Sequence, residues 1–225
     1  MRCRGENTRT NPHRERSSSS KTHFPVRSAD FFAGAARAEQ LPPAKLPEIA
    51  LGGRSNVGKS SLLNRLVRRQ SLARVSKTPG RTQQINFFSI NGTWVLVDLP
   101  GYGFARVPAA MQEQWRGLVE AYLRNRSALR GVVLIVDIRR GVEADDALLV
   151  EFLRHHGVRV LLAVTKIDKM ARGECARRLR DIRASHPDLN PIGCSAVTGE
   201  GIGDVVRVLA GWLKVSLTSE GDDDE

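Results

Sequence analysis

Cysteine is scarce in this chain. Three occur in 225 residues, at Cys3, Cys175 and Cys194. They are odd in number, far apart and without metal-ligand spacing. That excludes a disulfide framework and fits a reducing, cytoplasmic setting. Long apolar runs are missing too. None approaches the ~20 residues that a membrane helix needs, so no span is expected. The first residues carry no apolar h-region, so no secretory signal is expected either. The start, "MRCRGENTRTNPHRERSSSSK", is rich in Arg and Ser and poor in acids. A transit peptide shares that bias but is amphipathic, and this stretch has almost no apolar side chains. Residues 1–21 therefore read as a disordered basic tail.

Acidic residues are outnumbered. Lys and Arg total 35 against 24 Asp and Glu, a formal net charge of +11. The excess is uneven: residues 1–27 carry +5, and the last eight, "TSEGDDDE", carry −5 and read as an acidic disordered tail, 218–225. Residues 28–217 hold 28 bases against 17 acids, again +11. A basic folded domain calls for a polyanionic partner, because Lys and Arg contacts to phosphates drive sequence-independent binding. A solvated, Arg-rich surface gives the same count, and charge alone does not separate the two.

The length suits one domain of ordinary size with tails. From Pro47 onward, short apolar runs alternate with amphipathic stretches. "EIALGG" reads as a buried strand, and Leu62, Leu63, Leu66 and Val67 share a helical face. "QINFFSI" and "TWVLVDL" are strand-like and joined by Asn91-Gly92, a hairpin turn. Trp115, Leu118, Val119, Tyr122 and Leu123 follow helical spacing, as do Leu148, Leu149, Phe152 and Leu153. "GVVLIVDI" and "VLLAVTKID" are runs of the kind covered on both faces. Leu179 and Ile182 lie on a basic helix, "PIGCSA" is a short strand, and Ile202, Val205, Val206, Leu209 and Trp212 form the last helical face. The pattern predicts an α/β fold: an open sheet of about six strands, mostly parallel. One hairpin supplies an antiparallel edge strand, and helices cover both faces. Ligands in such folds sit beyond the carboxyl ends of the strands.

One stretch between strand and helix carries chemistry. "GRSNVGKSS" comprises Gly53, Arg54, Ser55, Asn56, Val57, Gly58, Lys59, Ser60 and Ser61. Its G-x-x-x-x-G-K-S spacing is that of a phosphate-binding loop. Glycines let backbone N–H groups turn inward around phosphate oxygens, and the helix beginning near Lys59 points its positive end at the same anions. Lys59 would neutralise β- and γ-phosphate charge, and the Ser60 hydroxyl would ligate Mg²⁺. A tight strand-to-helix turn is the bland alternative, and it leaves the lysine and serine unexplained.

Other loops address the base and the third phosphate. "TKID" (Thr165, Lys166, Ile167, Asp168) closes a covered strand. A carboxylate at Asp168 can accept from guanine N1–H and N2, whereas adenine lacks both donors. "CSA" (Cys194, Ser195, Ala196) ends the next strand, and the Ala196 amide can donate to guanine O6. The Lys166 stem can lie along the base. "DLPG" (Asp98, Leu99, Pro100, Gly101) ends the hairpin's second strand. There Asp98 would hold Mg²⁺ through water and the Gly101 amide would sense the γ-phosphate. In "TPGRTQQ", which contains Gly80, Arg81, Thr82, Gln83 and Gln84, a threonine hydroxyl would reach Mg²⁺ only in the triphosphate state. Thr78 and Thr82 both qualify, and Thr82, nearer the anchoring strand, is preferred. Lys59, Thr82 and Gly101 are thus the residues expected to act at the transferred phosphoryl group. Two loops that close on a γ-phosphate and relax after hydrolysis make a switch.

The set "GRSNVGKSS", "GRTQQINFF", "DLPGYGFA", "TKID" and "CSA", with "LRGVVLIVDIRRG" and "WRGLVEAYL", resembles the EngB/YsxC family of small bacterial GTP-binding proteins. The likeness spans about residues 22–215 and neither tail. It implies a Ras-like fold, a GTP-binding domain over 22–217 and GTP hydrolysis to GDP. It also implies a role in assembly of the large ribosomal subunit, hence rRNA as a partner, and in cell division and septation. Many GTPases have Asn where this chain has Thr165, though Thr is common in this family.

At the position after Gly101 the chain departs from Ras-type enzymes, which place a water-orienting Gln there. This chain has Tyr102. Slow intrinsic hydrolysis is expected, with the missing element supplied by a partner or an ion. Asn56 resembles the asparagine with which some related GTPases hold K⁺, although it also suits an unusual loop conformation. Trp94, Trp115 and Trp212 are expected in the core. Asp137 receives no role. Arg139 and Arg140 are either surface residues or an arginine finger in cis. The basic helix at 172–183 is either a solvated face or an RNA contact. Two readings remain for a chain expected to act as a monomer: a GTP-hydrolysing switch in ribosome assembly, and a GTP-gated RNA-binding scaffold in which hydrolysis only ends binding.

Overall fold

The structure, a computed structural model, describes residues 22–69, 72, 84–103, 109–124 and 126–219. In chain order the elements are β1 (Thr22–His23), β2 (Ala29–Ala35), β3 (Glu48–Gly53), α1 (Lys59–Leu66), β4 (Ile85–Ile90) and β5 (Trp94–Asp98). Then come α2 (Ala109–Arg124), β6 (Leu129–Asp137), α3 (Ala144–His155), β7 (Val160–Thr165), α4 (Arg172–Ser185), β8 (Ile192–Gly193), α5 (Ile202–Leu213) and β9 (Thr218–Ser219). Seven strands form one sheet in the order β2-β4-β5-β3-β6-β7-β8. β5, β3, β6, β7 and β8 run parallel, and β4 is antiparallel to both of its neighbours.

Alternation along the strands divides the core between the two faces. Ile49, Leu51, Val133, Ile135, Leu161 and Ala163 point to one face, where Leu62, Leu63 and Leu66 of α1 and Val205, Val206 and Leu209 of α5 cover them. Ala50, Val97 and Val132 point to the other, against Leu118, Val119 and Tyr122 of α2 and Leu153 of α3. Further along that face, Leu134, Val136, Leu162 and Val164 meet Val150 of α3 and Ile182 of α4. Strands buried on both faces are what continuous apolar runs require.

Three details differ from the sequence reading. The hairpin is not the sheet's edge: β2 pairs along β4 and takes that place, bringing the main sheet to seven strands. Its sequence, "ADFFAGA", lacks clean alternation because a bulge between Phe31 and Ala33 breaks the register,. Leu148 is 60% exposed, not core. α3 buries Asp146, Val150 and Leu153 and half-buries Leu149, so Leu148 falls to the side of that stripe,. Thr218 and Ser219, assigned by composition to the tail, form β9 against Thr22 and His23. The turn itself is as expected, with Asn91 at φ 53°, Gly92 at φ 66° and Thr93 N–H closing onto the Ile90 carbonyl at 3.0 Å. Trp94 is buried and Trp212 half-buried, while the Trp115 side chain lies outside the described residues.

One buried ion pair fastens the end of the sheet away from the phosphate loop. Glu48 opens β3, and its carboxylate accepts from Arg126 Nε (2.9 Å) and Nη2 (2.7 Å) and from the Tyr122 hydroxyl (2.9 Å). The Glu48 and Arg126 side chains are only 3% and 9% exposed. Burial, and then the Glu48 charge, push the Tyr122 phenol well above its usual range. Replacing Arg126 with Ala strands a buried carboxylate. Thermal unfolding should show a loss of about 3 kcal/mol, or roughly 6–12 °C for a chain of this size.

Candidate functional site

β3 delivers the phosphate loop. Its last residue, Gly53, packs so closely on β6 that a Cβ there would lie 2.5 Å from the Ile135 carbonyl oxygen. Gly58, at φ 103°, takes a left-handed conformation to start α1 at Lys59,. Asn56 sits at φ 64°, a conformation that asparagine tolerates better than most residues,. The loop therefore lies between a strand end and a helix N-terminus, as phosphate binding requires.

Lys59 Nζ is paired with Asp98 Oδ1 at the end of the neighbouring strand β5. Both side chains are nearly buried, at 11% and 6% exposure, so each charge compensates the other away from water. Ser60 follows Lys59 in the first turn of α1. A hydroxyl and a single buried carboxylate beside a phosphate loop fit Mg²⁺, which takes one or two protein ligands and completes its octahedron with phosphates and water. Among the described residues no cluster of three or more His, Cys, Asp or Glu offers an all-protein metal cage.

The base-side loops arrive at the ends of β7 and β8. Thr165 is buried, and its Oγ1 lies 2.6 Å from the Val57 carbonyl and 3.0 Å from that of Val136. It ties the phosphate loop to β6 and β7 at once. Lys166, at φ 61°, donates to the Asn56 carbonyl at 2.5 Å and sits 3.0 Å from Asp137 Oδ2. Asp137 also accepts from Arg139 Nε, Nη2 and backbone N–H at 2.9, 2.6 and 3.0 Å. Burial pushes the Asp137 carboxyl up, but these bonds from Arg139, with Lys166, outweigh it and hold it well below the usual carboxylate range. Asp137, given no role from sequence, is thus the anchor of Lys166. The only signal for it was a carboxylate ending a covered strand.

Asp168 accepts from the Ser195 hydroxyl at 2.6 Å, which holds its pKa below the usual value. Ser195 Oγ in turn accepts from the N–H groups of Val197 (3.2 Å) and Thr198 (3.1 Å). The carboxylate is oriented and kept ionised. Burial pushes the Cys194 thiol up to about 12, so that residue packs rather than reacts. Arg140 Nε pairs with Glu143 at 2.7 Å and Arg139 with Asp137, so the geometry favours the surface reading of both over a finger.

After β5 the chain passes through Leu99 and Pro100 to Gly101, beside Ser55. Arg54 and Tyr102 then form a parallel bridge, and Ser55 N–H donates to the Tyr102 carbonyl at 3.1 Å. The Tyr102 hydroxyl, unreadable from sequence, donates to buried Asp146 at 2.6 Å. Burial, then the Asp146 charge, push this phenol well above its usual range. Gln84 Nε2 donates to Asn86 at 2.9 Å. Gly80, Arg81, Thr82 and Gln83, with Thr78, lie outside the described residues, as does most of the loop after Gly103. The remaining predicted site residues come together at the carboxyl ends of β3, β5, β7 and β8.

Known proteins share this arrangement. A family profile described as "50S ribosome-binding GTPase" matches residues 48–166. A probable GTP-binding protein EngB from Pelotomaculum thermopropionicum is 46% identical over 197 residues, covering 85% of this chain and 98% of its own. Another, from Geobacter metallireducens, is 54% identical over 153 residues, covering 68% and 75%. The crystal structure of a probable GTP-binding protein EngB superposes with a TM-score of 0.60 at 28% identity, over 74% of this chain and 98% of that one. No helix among the described residues is long and apolar enough to cross a membrane. With its phosphate loop, its Asp98 and its Asp168–Ser195 pair in place on a Ras-like sheet, the chain belongs to the EngB family of GTP-binding proteins and is a GTPase.

Proposed function

We propose that this GTPase is a switch in assembly of the large ribosomal subunit, with slow hydrolysis of its own, and that normal cell division and septation depend on it. The observation that carries the reading is the net charge of +11 held by residues 28–217. A polyanionic particle is the partner such a domain binds, and the family description names the 50S ribosome,. The phosphate-loop amides and Lys59 bind the phosphates, Asp168 and the Ala196 amide read guanine, and Gly101 N–H meets the γ-phosphate. Ser60, Asp98 through water and, in the triphosphate state, Thr82 would hold Mg²⁺, which neutralises charge developing on the phosphates. Tyr102 cannot orient a water as an amide does, and its hydroxyl is already given to Asp146. Docking therefore supplies what hydrolysis lacks. Asn56 is accounted for by its backbone conformation, and its carbonyl is engaged by Lys166, so K⁺ is not needed to explain it.

Sedimentation with large-subunit particles tests the reading. The GTP form should co-sediment and the GDP form much less. Binding should fall steeply between low and moderate salt, since each phosphate contact releases a counterion. Deleting residues 1–21 should weaken it modestly. Binding that ignores both nucleotide and salt would assign the charge to solubility. In the scaffold alternative binding persists, but GTP turnover does not rise when particles are added.

A further inference from the structure

A buried polar network outside the nucleotide loops joins three elements at one turn. The Tyr102 hydroxyl donates to Asp146 Oδ1 at 2.6 Å. Asp146 is 1% exposed and also accepts from Glu143 N–H at 2.9 Å, capping α3. The Glu143 carboxylate pairs with Arg54 of the phosphate loop. The main chain closes the ring, because the Tyr102 carbonyl accepts from Ser55 N–H. Residues 101–103 are thus fastened twice, by backbone to the phosphate loop and by a phenol to α3.

We propose that Tyr102 and Asp146 set the preference between GTP and GDP, as a latch that holds Gly101 against the phosphate loop until a γ-phosphate displaces it. This rests on the reading that Gly101 senses the γ-phosphate. Gly101 packs so tightly that a Cβ on it would lie 2.8 Å from Ser55 Oγ. The Ser55 amide is committed to Tyr102 rather than to a ligand. A third phosphate beside Lys59 needs that space, and 101–103 must withdraw to provide it. GDP, one phosphate shorter, makes no such demand. A ligand shifts a two-state element only by its differential affinity for the two states, so the latch opposes GTP and leaves GDP untouched. A hydroxyl bonded to a buried carboxylate is among the stronger protein hydrogen bonds, so the opposition is measurable. Opening also releases one of the contacts at the first turn of α3, which makes that turn a reporter of nucleotide state. Tyr102 and Asp146 are positioning residues here; they touch neither nucleotide nor metal.

Calorimetry on the full chain tests this with GDP and the non-hydrolysable analogue GppNHp. Tyr102→Phe should raise GppNHp affinity about fivefold with GDP affinity unchanged, the latter showing that the variant folds. Glu143→Gln, which weakens the other arm, should act in the same direction with a smaller effect. Amide exchange across 143–147 should be faster with GppNHp than with GDP in the native chain, and equal in Tyr102→Phe. If both variants leave the affinity ratio unchanged while Gly101→Ala lowers GppNHp binding, the sensor stands and the latch is wrong. If Gly101→Ala also leaves GppNHp binding intact, the sensor assignment falls and the latch with it.

Discussion

Asp168→Asn should lower affinity for guanine nucleotides about a hundredfold and raise that for xanthine nucleotides. The carboxylate would accept two hydrogen bonds from guanine N1–H and N2, and charge-assisted bonds of this kind contribute roughly 1.5–3 kcal/mol each. An amide accepts only one and turns a donor toward the base. Xanthine, with a carbonyl in place of the N2 amine, suits that donor. The structure adds a second variant. Ser195 donates to Asp168 at 2.6 Å and keeps the carboxyl ionised and aimed. Ser195→Ala should therefore cost about tenfold in guanine affinity without changing base preference, because orientation is lost but the acceptor pair remains. Calorimetry with GDP, XDP and ADP separates these outcomes. Equal affinity of the unmodified chain for GDP and ADP would remove the guanine assignment altogether.

Lys59→Ala should have two separable effects. GTP affinity should fall a hundredfold or more, about 3 kcal/mol, since one ammonium serving two phosphate groups is lost. The nucleotide-free protein should also be less stable, by roughly 3 kcal/mol, because Asp98 loses its partner at 6% exposure,. The double variant Lys59→Ala/Asp98→Asn distinguishes the two. Neutralising the stranded carboxylate should restore most of the melting temperature, while nucleotide affinity stays low. A double variant no more stable than Lys59→Ala alone would mean that Asp98 finds water or another partner, and that the pair is not the anchor its burial implies.

The phosphate loop was legible from sequence alone because its function lies in contiguous backbone. Nine successive residues, with glycine where a side chain would collide with Ile135 and where the chain turns left-handed, specify both conformation and chemistry,. The covered strands were legible for a similar reason, since burial on both faces leaves no polar position within the run. β2 was not legible. An edge strand pairs on one side only and tolerates a bulge, so its sequence carries no strict period,. Leu148 was misplaced because a helix decides its buried stripe by what it packs on, not by its richest apolar row.

The contacts that tune the site belong to the tertiary structure. Lys59 meets Asp98 across 39 residues, Tyr102 meets Asp146 across 44, and Arg54 meets Glu143 across 89. No local spacing encodes such pairs. They exist because packing on both faces sets the strand order β5-β3-β6-β7-β8, which brings the carboxyl ends of distant strands to one rim. Residue types at that rim were readable one by one: a lysine, a tyrosine, several carboxylates. Which charge neutralises which, whether Asp137 anchors Lys166, and that Tyr102 is held by α3 were decided only when the sheet closed. A side-chain bond a few ångströms long is specified by the positions of two backbones, and only the folded core determines those.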